Sequence, residues 1–157
     1  MMKVDIPGYK NIEIENVVFD YNGTIAEDGI LIEGVGELIL ELVSKGIKVY
    51  VLTADTNGTV RNQCEHLPAE IEVFDGEEAT IHKRKFVEKI GKYKTVSIGN
   101  GRNDIEMFQM SRLSIAVIGS EGCFSKALIS ADIVVNNIID AIQLILKPHR
   151  LKATMRN

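Results

Sequence analysis

Four short segments of this chain carry polar side chains of the kinds that do chemistry, three of them directly after apolar, β-branched runs. Val17-Val18-Phe19 leads into Asp20 within DYNGT, Ile47 to Leu52 leads into Thr53 within LTADT, and Val96 to Ile98 leads into GNGRND, with Asn100, Asn103 and Asp104. The fourth segment, IHKRKFVEKI, supplies Lys83 and Lys85. Taken singly, each has an ordinary explanation. An Asp ahead of Asn-Gly caps turns routinely, and most lysines in such a run form the solvated face of a helix. Taken together, they amount to a carboxylate nucleophile, a hydroxyl donor, a cation and a carboxylate for a metal.

The chemistry that needs this set is attack on a phosphate ester. The ester is anionic and repels a carboxylate unless nearby cations neutralise both charges. A lysine and Mg²⁺ can do that. Mg²⁺ takes oxygen ligands in near-octahedral geometry, and Asp20, the Asn22 carbonyl, Asp104, the phosphate and water could supply them. Thr53 and N–H groups of the loop after it would hydrogen-bond the phosphoryl oxygens, and Lys83 would neutralise charge during transfer. Lys83 is preferred to Lys85 because it stands near the helix start, within reach of the strand ends.

In order and spacing, DYNGT, LTADT, the Lys of KRKFVE and GNGRND resemble the four motifs of the haloacid dehalogenase superfamily of phosphotransferases, over roughly residues 14 to 140. Within it they are most similar to the phosphorylation domain of P-type cation ATPases, whose motifs read DKTGT, TGD, a KxKxVE-like segment and GDGxND. The resemblance implies Asp20 as nucleophile, Thr53, Ala54 and Asp55 as the phosphate-binding TGD segment, and Lys83 as the motif lysine. It also implies Asp104 as the final metal Asp, with Mg²⁺ as cofactor. The activity implied is Mg²⁺-dependent hydrolysis of a phosphate ester or ATP through an aspartyl-phosphate on Asp20.

Two departures qualify that expectation. Phosphatases of the superfamily usually carry a second Asp two residues after the nucleophile, as general acid and base; here that position is Asn22. An amide does not exchange protons in that way, so breakdown of an aspartyl-phosphate should be slow. Asn100 likewise replaces an Asp of GDGxND, leaving an amide oxygen where a metal carboxylate is expected. An alternative reading is therefore a phospho-accepting regulatory module with little turnover, and a third is a relic without any. A receiver domain fits less well, since receivers carry an acidic pair on the first strand, whereas residues 17–20 read Val-Val-Phe-Asp.

The elements that must position these residues follow from the pattern of the chain. Strand-like runs alternate with helical stretches, which builds βαβ units around a parallel sheet. The expected class is α/β, a three-layer Rossmann-like fold with helices on both faces. Predicted strands are Val17–Phe19, Ile47–Leu52, Glu70–Phe74, Val96–Ile98, Ile115–Ile118 and Ile133–Val135. Predicted helices are Val35–Val43, Glu77–Ile90, Asp104–Met110, Cys123–Ile129 and Ile138–Leu146, the last stopped by Pro148. Only 28 residues separate Thr24 from Thr53 and 29 separate Thr53 from Lys83, enough for a small flap over Ile25–Glu33 but not for a cap domain. A site without a cap should be open, and should admit a large substrate or be closed by a neighbouring subunit in a homo-oligomer.

The whole chain has 157 residues, near the ~150 of one domain, and 45% of them are hydrophobic and 25% charged, a balance that supports one folded core. Residues 1–146 are expected to form that domain. Residues 147–157, with Lys147, Arg150, Lys152 and Arg156 and no acid, read as a frayed, solvated tail. A net charge of −4 gives no basic field for nucleic acid. Asp5 and Pro7 interrupt any N-terminal apolar stretch, and no apolar run reaches the ~20 residues of a membrane span, so a cytoplasmic setting is expected. Two cysteines, Cys64 and Cys123, form no metal motif.

Overall fold

The computed structural model describes residues 1–54 and 58–157. Its centre is a six-stranded, wholly parallel sheet, with the α/β architecture that the alternating pattern predicts. The chain first forms a short antiparallel pair, β1 (Met2–Val4) and β2 (Ile12–Ile14), then enters the sheet at β3 (Asn16–Asp20). A two-stranded hairpin, β4 (Ala26–Glu27) and β5 (Ile30–Leu31), precedes α1 (Val35–Ser44) and β6 (Lys48–Thr53). Next come α2 (Thr59–Cys64), β7 (Ala69–Val73), α3 (Ala79–Gly91), β8 (Thr95–Gly99) and α4 (Ile105–Met110). The chain ends with β9 (Leu113–Val117), α5 (Ser125–Ser130), β10 (Ile133–Val135), α6 (Ile138–Leu146) and α7 (Pro148–Met155).

The strand order is β10-β9-β8-β3-β6-β7. Central parallel strands are covered on both faces and so read as continuous apolar runs, which is why β3, β8 and β9 are buried along their whole length. Side-chain alternation divides the core in two. Val17, Phe19, Val49 and Val51 pack with residues of α1 and α6, whereas Val18 and Leu52 pack with Val87, Met107 and Phe108 of α3 and α4. From β3 the chain runs outward through β6 to β7, then returns across β3 to build β8, β9 and β10. The switch point thus lies between β3 and β8, where ligands of open α/β sheets bind beyond the strands' carboxyl ends.

Several elements escape a reading by periodicity. The strands of β1, β2, β4 and β5 are two or three residues long, too short to show a period. The hairpin of β4 and β5 occupies the expected flap and turns on Asp28-Gly29, both at positive φ (51° and 79°), as a two-residue primed turn requires. Its root is domain core: Ile25 and Ala26 are buried, and Tyr21 Oη donates to the Gly29 carbonyl at 2.8 Å. Ile30 at its tip is 63% exposed.

The expectation of a frayed tail is corrected. Pro148 does not merely stop α6; it opens α7, since a proline at the first helical turn lacks only an N–H that had no partner there. Leu151 anchors α7 in the main core. Among the described residues no helix is long and apolar enough to cross a membrane.

Candidate active site

Parallel register brings the sequence-predicted residues to one end of the sheet. Asp20 ends β3 opposite Leu52 of β6, so Thr53 stands one residue beyond it. On the other side Phe19 pairs with Ile98 of β8, so the GNGRND segment begins at the level of Asp20. Lys83 comes from α3, where Ala79, Lys83 and Val87 recur every four residues as the buried stripe. Lys85, about 200° away around the helix, is exposed. The periodicity of α3 thus selects Lys83 over Lys85.

Lys83 is 1% exposed and spends its three N–H donors on three oxygens. Its Nζ donates to Asp20 Oδ1 at 2.6 Å, Asp104 Oδ1 at 2.7 Å and Asn103 Oδ1 at 2.8 Å. Asp104, 0% exposed, sits in the tight turn before α4, and its Oδ2 accepts from the N–H groups of Asn100 (3.0 Å) and Gly101 (2.9 Å). A Cβ on Gly99 would stand 2.4 Å from that Oδ2, so glycine is required for the carboxylate to fold back over its own loop. Thr24 donates to Asp20 Oδ2 at 3.0 Å and lies 3.3 Å from Asn100 Oδ1.

The electrostatics follow from burial. Asp20 is pushed up from 3.8 to about 6, first by burial and then by the charge of Asp104, against the opposing pull of Lys83 and Thr24. For Lys83 burial works against the ammonium, but Asp20 and Asp104 outweigh it and raise the group above its ordinary value. Two buried carboxylates thus face one buried ammonium, which leaves one negative charge uncompensated.

That imbalance suits a hard divalent cation. Asp20 and Asp104 supply two carboxylates, enough for Mg²⁺, which commonly uses one or two and fills the rest of its shell with water and phosphate oxygens. Three of the four acceptor positions of Asp104 are taken by Lys83 and two backbone N–H groups, so one remains for an ion or its water. Among the described residues no cluster of three or more His, Cys, Asp or Glu side chains that could hold a metal is found, so any ion here would rest on the two carboxylates with amide, carbonyl, phosphate or water oxygens.

The remaining expected residues are placed less uniformly. Thr53 is buried at the end of β6, and Ala54 follows it half-buried. Asp55 lies outside the described residues. Asn22 is exposed, two residues beyond Asp20. Asn100 has its amide nitrogen donating to the Gly122 carbonyl at 3.0 Å and its amide oxygen 3.3 Å from the Thr24 hydroxyl, on the side of Asp20. Thr24 and Asn103 are visible inside DYNGT and GNGRND, but nothing in the spacing gives them partners.

Several known proteins are similar to this chain. A model of the haloacid dehalogenase-like hydrolase family matches residues 78–128, which include Lys83 and the GNGRND turn. An uncharacterized protein of Methanocaldococcus jannaschii is 46% identical over 81 residues, covering 49% of this chain and 87% of that protein. A soluble P-type ATPase-like phosphatase of the same organism is 28% identical over 123 residues, covering 77% of this chain but only 45% of that protein. Among solved structures, the cobalt-bound deoxy-D-mannose-octulosonate 8-phosphate phosphatase of Haemophilus influenzae superposes with a TM-score of 0.74 at 16% identity, covering 92% of this chain and 94% of that one. The 3-deoxy-D-manno-octulosonate 8-phosphate phosphatase of Moraxella catarrhalis, in complex with magnesium, phosphate and its sugar acid, gives 0.70 at 16% identity, with 90% of each chain covered. Sheet order, the Asp20–Lys83–Asp104 cluster and these likenesses agree: over the segment that carries Lys83 and Asp104 the chain is similar to the haloacid dehalogenase-like hydrolases, and it shares its fold with phosphatases.

Proposed function

We propose that this chain is a Mg²⁺-dependent phosphohydrolase that works through an aspartyl-phosphate on Asp20. The observation that carries the reading is the buried cluster in which one ammonium, Lys83, holds Asp20 and Asp104 at 2.6 and 2.7 Å at the sheet's switch point. Burial costs this cluster stability, and the cost is understandable where function requires a pre-set anion site.

In the first step an Asp20 carboxylate oxygen bonds to phosphorus while the bond to the leaving oxygen breaks. Lys83 holds Asp20 in place and offsets the negative charge that accumulates on the phosphoryl group. Thr53, at the end of β6, and the N–H of Ala54 are assigned to the phosphoryl oxygens. Bound Mg²⁺, held by Asp20, Asp104 and the Asn22 carbonyl, would supply Lewis-acid neutralisation of the phosphate. In the second step water attacks phosphorus, the Asp20–phosphorus bond breaks, and phosphate leaves. Asn22 has no proton to exchange, so the leaving oxygen draws its proton from solvent and the attacking water has no side-chain base at that position.

The substrate class we assign is a phosphorylated small molecule, supported by the sugar-phosphate phosphatases that share the fold. ATP is the other donor to test, given the ATPase-like relative. We assign a cytoplasmic setting from the sequence argument, and a homo-oligomer in which the exposed flap tip at Ile30 meets a second copy. Asn22 favours one competing reading, a phospho-accepting module with slow turnover. Steady-state phosphate release from p-nitrophenyl phosphate, ATP and a panel of metabolite phosphates, with and without Mg²⁺, tests the assignment. Turnover that needs Mg²⁺ and vanishes in Asp20→Asn supports hydrolysis. A stoichiometric phosphoenzyme with no turnover supports the module.

A further inference from the structure

We propose that the groove between α3 and the edge strand β7 holds the base of a nucleoside di- or triphosphate whose terminal phosphoryl group lies at Asp20. The proposal names a substrate class for the phosphohydrolase reading and rests on it for the reaction, though not for the binding. Glu72 of β7 and Phe74 just beyond it face His82, Lys85, Phe86 and Lys89 of α3, which stand three and four residues apart and so share one stripe of the helix. Between them lies a cavity of about 220 Å³. Sites that enclose a whole ligand run from roughly 300 to 1,000 Å³, so this one fits a single ring system.

The walls of the groove are aromatic and cationic. The rings of Phe74 and His82 stack, with centroids 5.4 Å apart and planes 19° from parallel. Phe86 meets Tyr50 edge-on at 5.3 Å and carries Lys89 Nζ 6.0 Å from its own centroid. His82 has 45% of its side chain exposed, and Lys85 and Lys89 are exposed, so ring and ammonium groups are open to a ligand. No ion pair among the described residues takes up Lys85, Lys89 or Glu72. Flat aromatic surfaces suit a base, and free ammonium groups suit the phosphates attached to it. Glu72, the acid among the six, is half-buried and offers an acceptor for a ring amino group.

The groove adjoins the phosphate site. Phe74 N–H donates to the Thr53 carbonyl at 3.1 Å, and Gly76 stands beside Ala54, where an added Cβ would be 3.8 Å from the Ala54 Cβ. Thr53 and Ala54 are the residues assigned to the phosphoryl oxygens. His82 immediately precedes Lys83, so one turn of α3 presents the cation of the nucleophile on one face and the stacked ring on another. Only β6 separates β3 from β7, so two strand spacings, about 10 Å, lie between Asp20 and Phe74 across the sheet. A ribose with a di- or triphosphate arm covers that distance, whereas a monophosphate falls short. Lys85, three residues on from His82, is placed to meet the phosphate next to the ribose.

Calorimetric titration with Mg²⁺ present tests the proposal without turnover, using adenosine 5′-(α,β-methylene)diphosphate, whose P–C–P bridge is not hydrolysed, and methylenediphosphonate, the same arm without nucleoside. Wild type should bind the nucleotide analogue about tenfold more tightly than the bare arm, the scale of one stacked base. His82→Ala and Phe74→Leu should each lose most of that preference while binding methylenediphosphonate within about twofold of wild type. His82 lies at the surface, so its variant serves if the other does not fold. The proposal is overturned if wild type binds the two ligands equally, if both variants keep the preference, or if they weaken both ligands alike. Binding of the analogue through these rings by a protein that hydrolyses no ester supports the groove and counts against the phosphohydrolase reading alone. Mg²⁺-dependent hydrolysis of other esters with no preference for the analogue over the bare arm overturns the groove alone.

Discussion

Replacing Asp20 with Asn should abolish phosphate release and at the same time make the metal-free protein more stable. Asp20 is 8% exposed and titrates at about 6 instead of 3.8, because burial and the neighbouring Asp104 together outweigh Lys83 and Thr24. At 1.36 kcal/mol per pH unit, that difference amounts to about 3 kcal/mol of destabilisation once the group is ionised. The folded pKa lies above the unfolded one, so the folded state binds the extra proton. Wild-type stability should therefore fall as pH rises from about 4 through 6 and stay low above that. The amide introduced by Asp20→Asn does not titrate. Its oxygen can still accept from Lys83, and its N–H can donate to the Thr24 hydroxyl, which then turns its hydrogen to Asn100 Oδ1. The variant should gain several degrees in Tm at pH 7.5 in EDTA, at about 2 to 4 °C per kcal/mol for a domain of this size. The gap should shrink at pH 4.5, and shrink again on adding Mg²⁺, which binds wild type better. Calorimetry at the two pH values, with and without the ion, provides the assay. An Asp20→Asn variant less stable than wild type at pH 7.5 in EDTA, or a gap that does not change with pH, would refute the charge balance derived for the cluster.

Lys83→Met leaves two buried carboxylates without their ammonium and should cost about 3 to 5 kcal/mol near neutral pH, whereas Lys85→Met on the exposed face should stay within about 0.5 kcal/mol; urea unfolding of both variants separates them. Asn22→Asp restores a titratable group beside the nucleophile, and turnover of esters with poor leaving groups should rise about 10²-fold or more, with less phosphoenzyme trapped by acid quench than in wild type. Equal turnover and equal trapping on all esters would show that position 22 is not the missing acid and base. Cys64, buried and pushed up to about 11, should resist a thiol reagent at pH 8 in the folded protein, whereas half-buried Cys123 should react. One thiol should titrate natively and a second only in denaturant, with two native thiols the contrary result.

The fold class, and which residues gather at one end of the sheet, are legible in the order of residues alone. Strand-like runs bounded by polar loops are a local property, and each of the six sheet strands is visible as one, the edge strand β7 by its alternation of Glu with Ile and Val and not by a continuous apolar run. Asp20, Thr53 and Asp104 are legible for the same reason, since each sits at or just beyond the end of a strand whose direction the βαβ pattern sets. Lys83 is legible as one of several lysines, and the buried stripe of α3 decides among them. What the local pattern cannot reveal depends on contacts between segments distant in the chain. The three-way sharing of Lys83 among Asp20, Asn103 and Asp104 spans up to 63 residues, and the raised pKa of Asp20 follows from that crowding and burial. Asn100 reads as a weakened metal position in a motif, and only the tertiary structure brings it to 3.3 Å from the Thr24 hydroxyl across 76 residues of chain and to the Gly122 carbonyl across 22. Leu151 reads as part of a charged tail because Lys147, Arg150, Lys152 and Arg156 surround it in the chain, and only the apolar surface already built by the rest of the core makes burying it favourable. Spacing along a chain selects side chains, but which of them share a proton, a cation or a cavity is set when the sheet closes and removes their water.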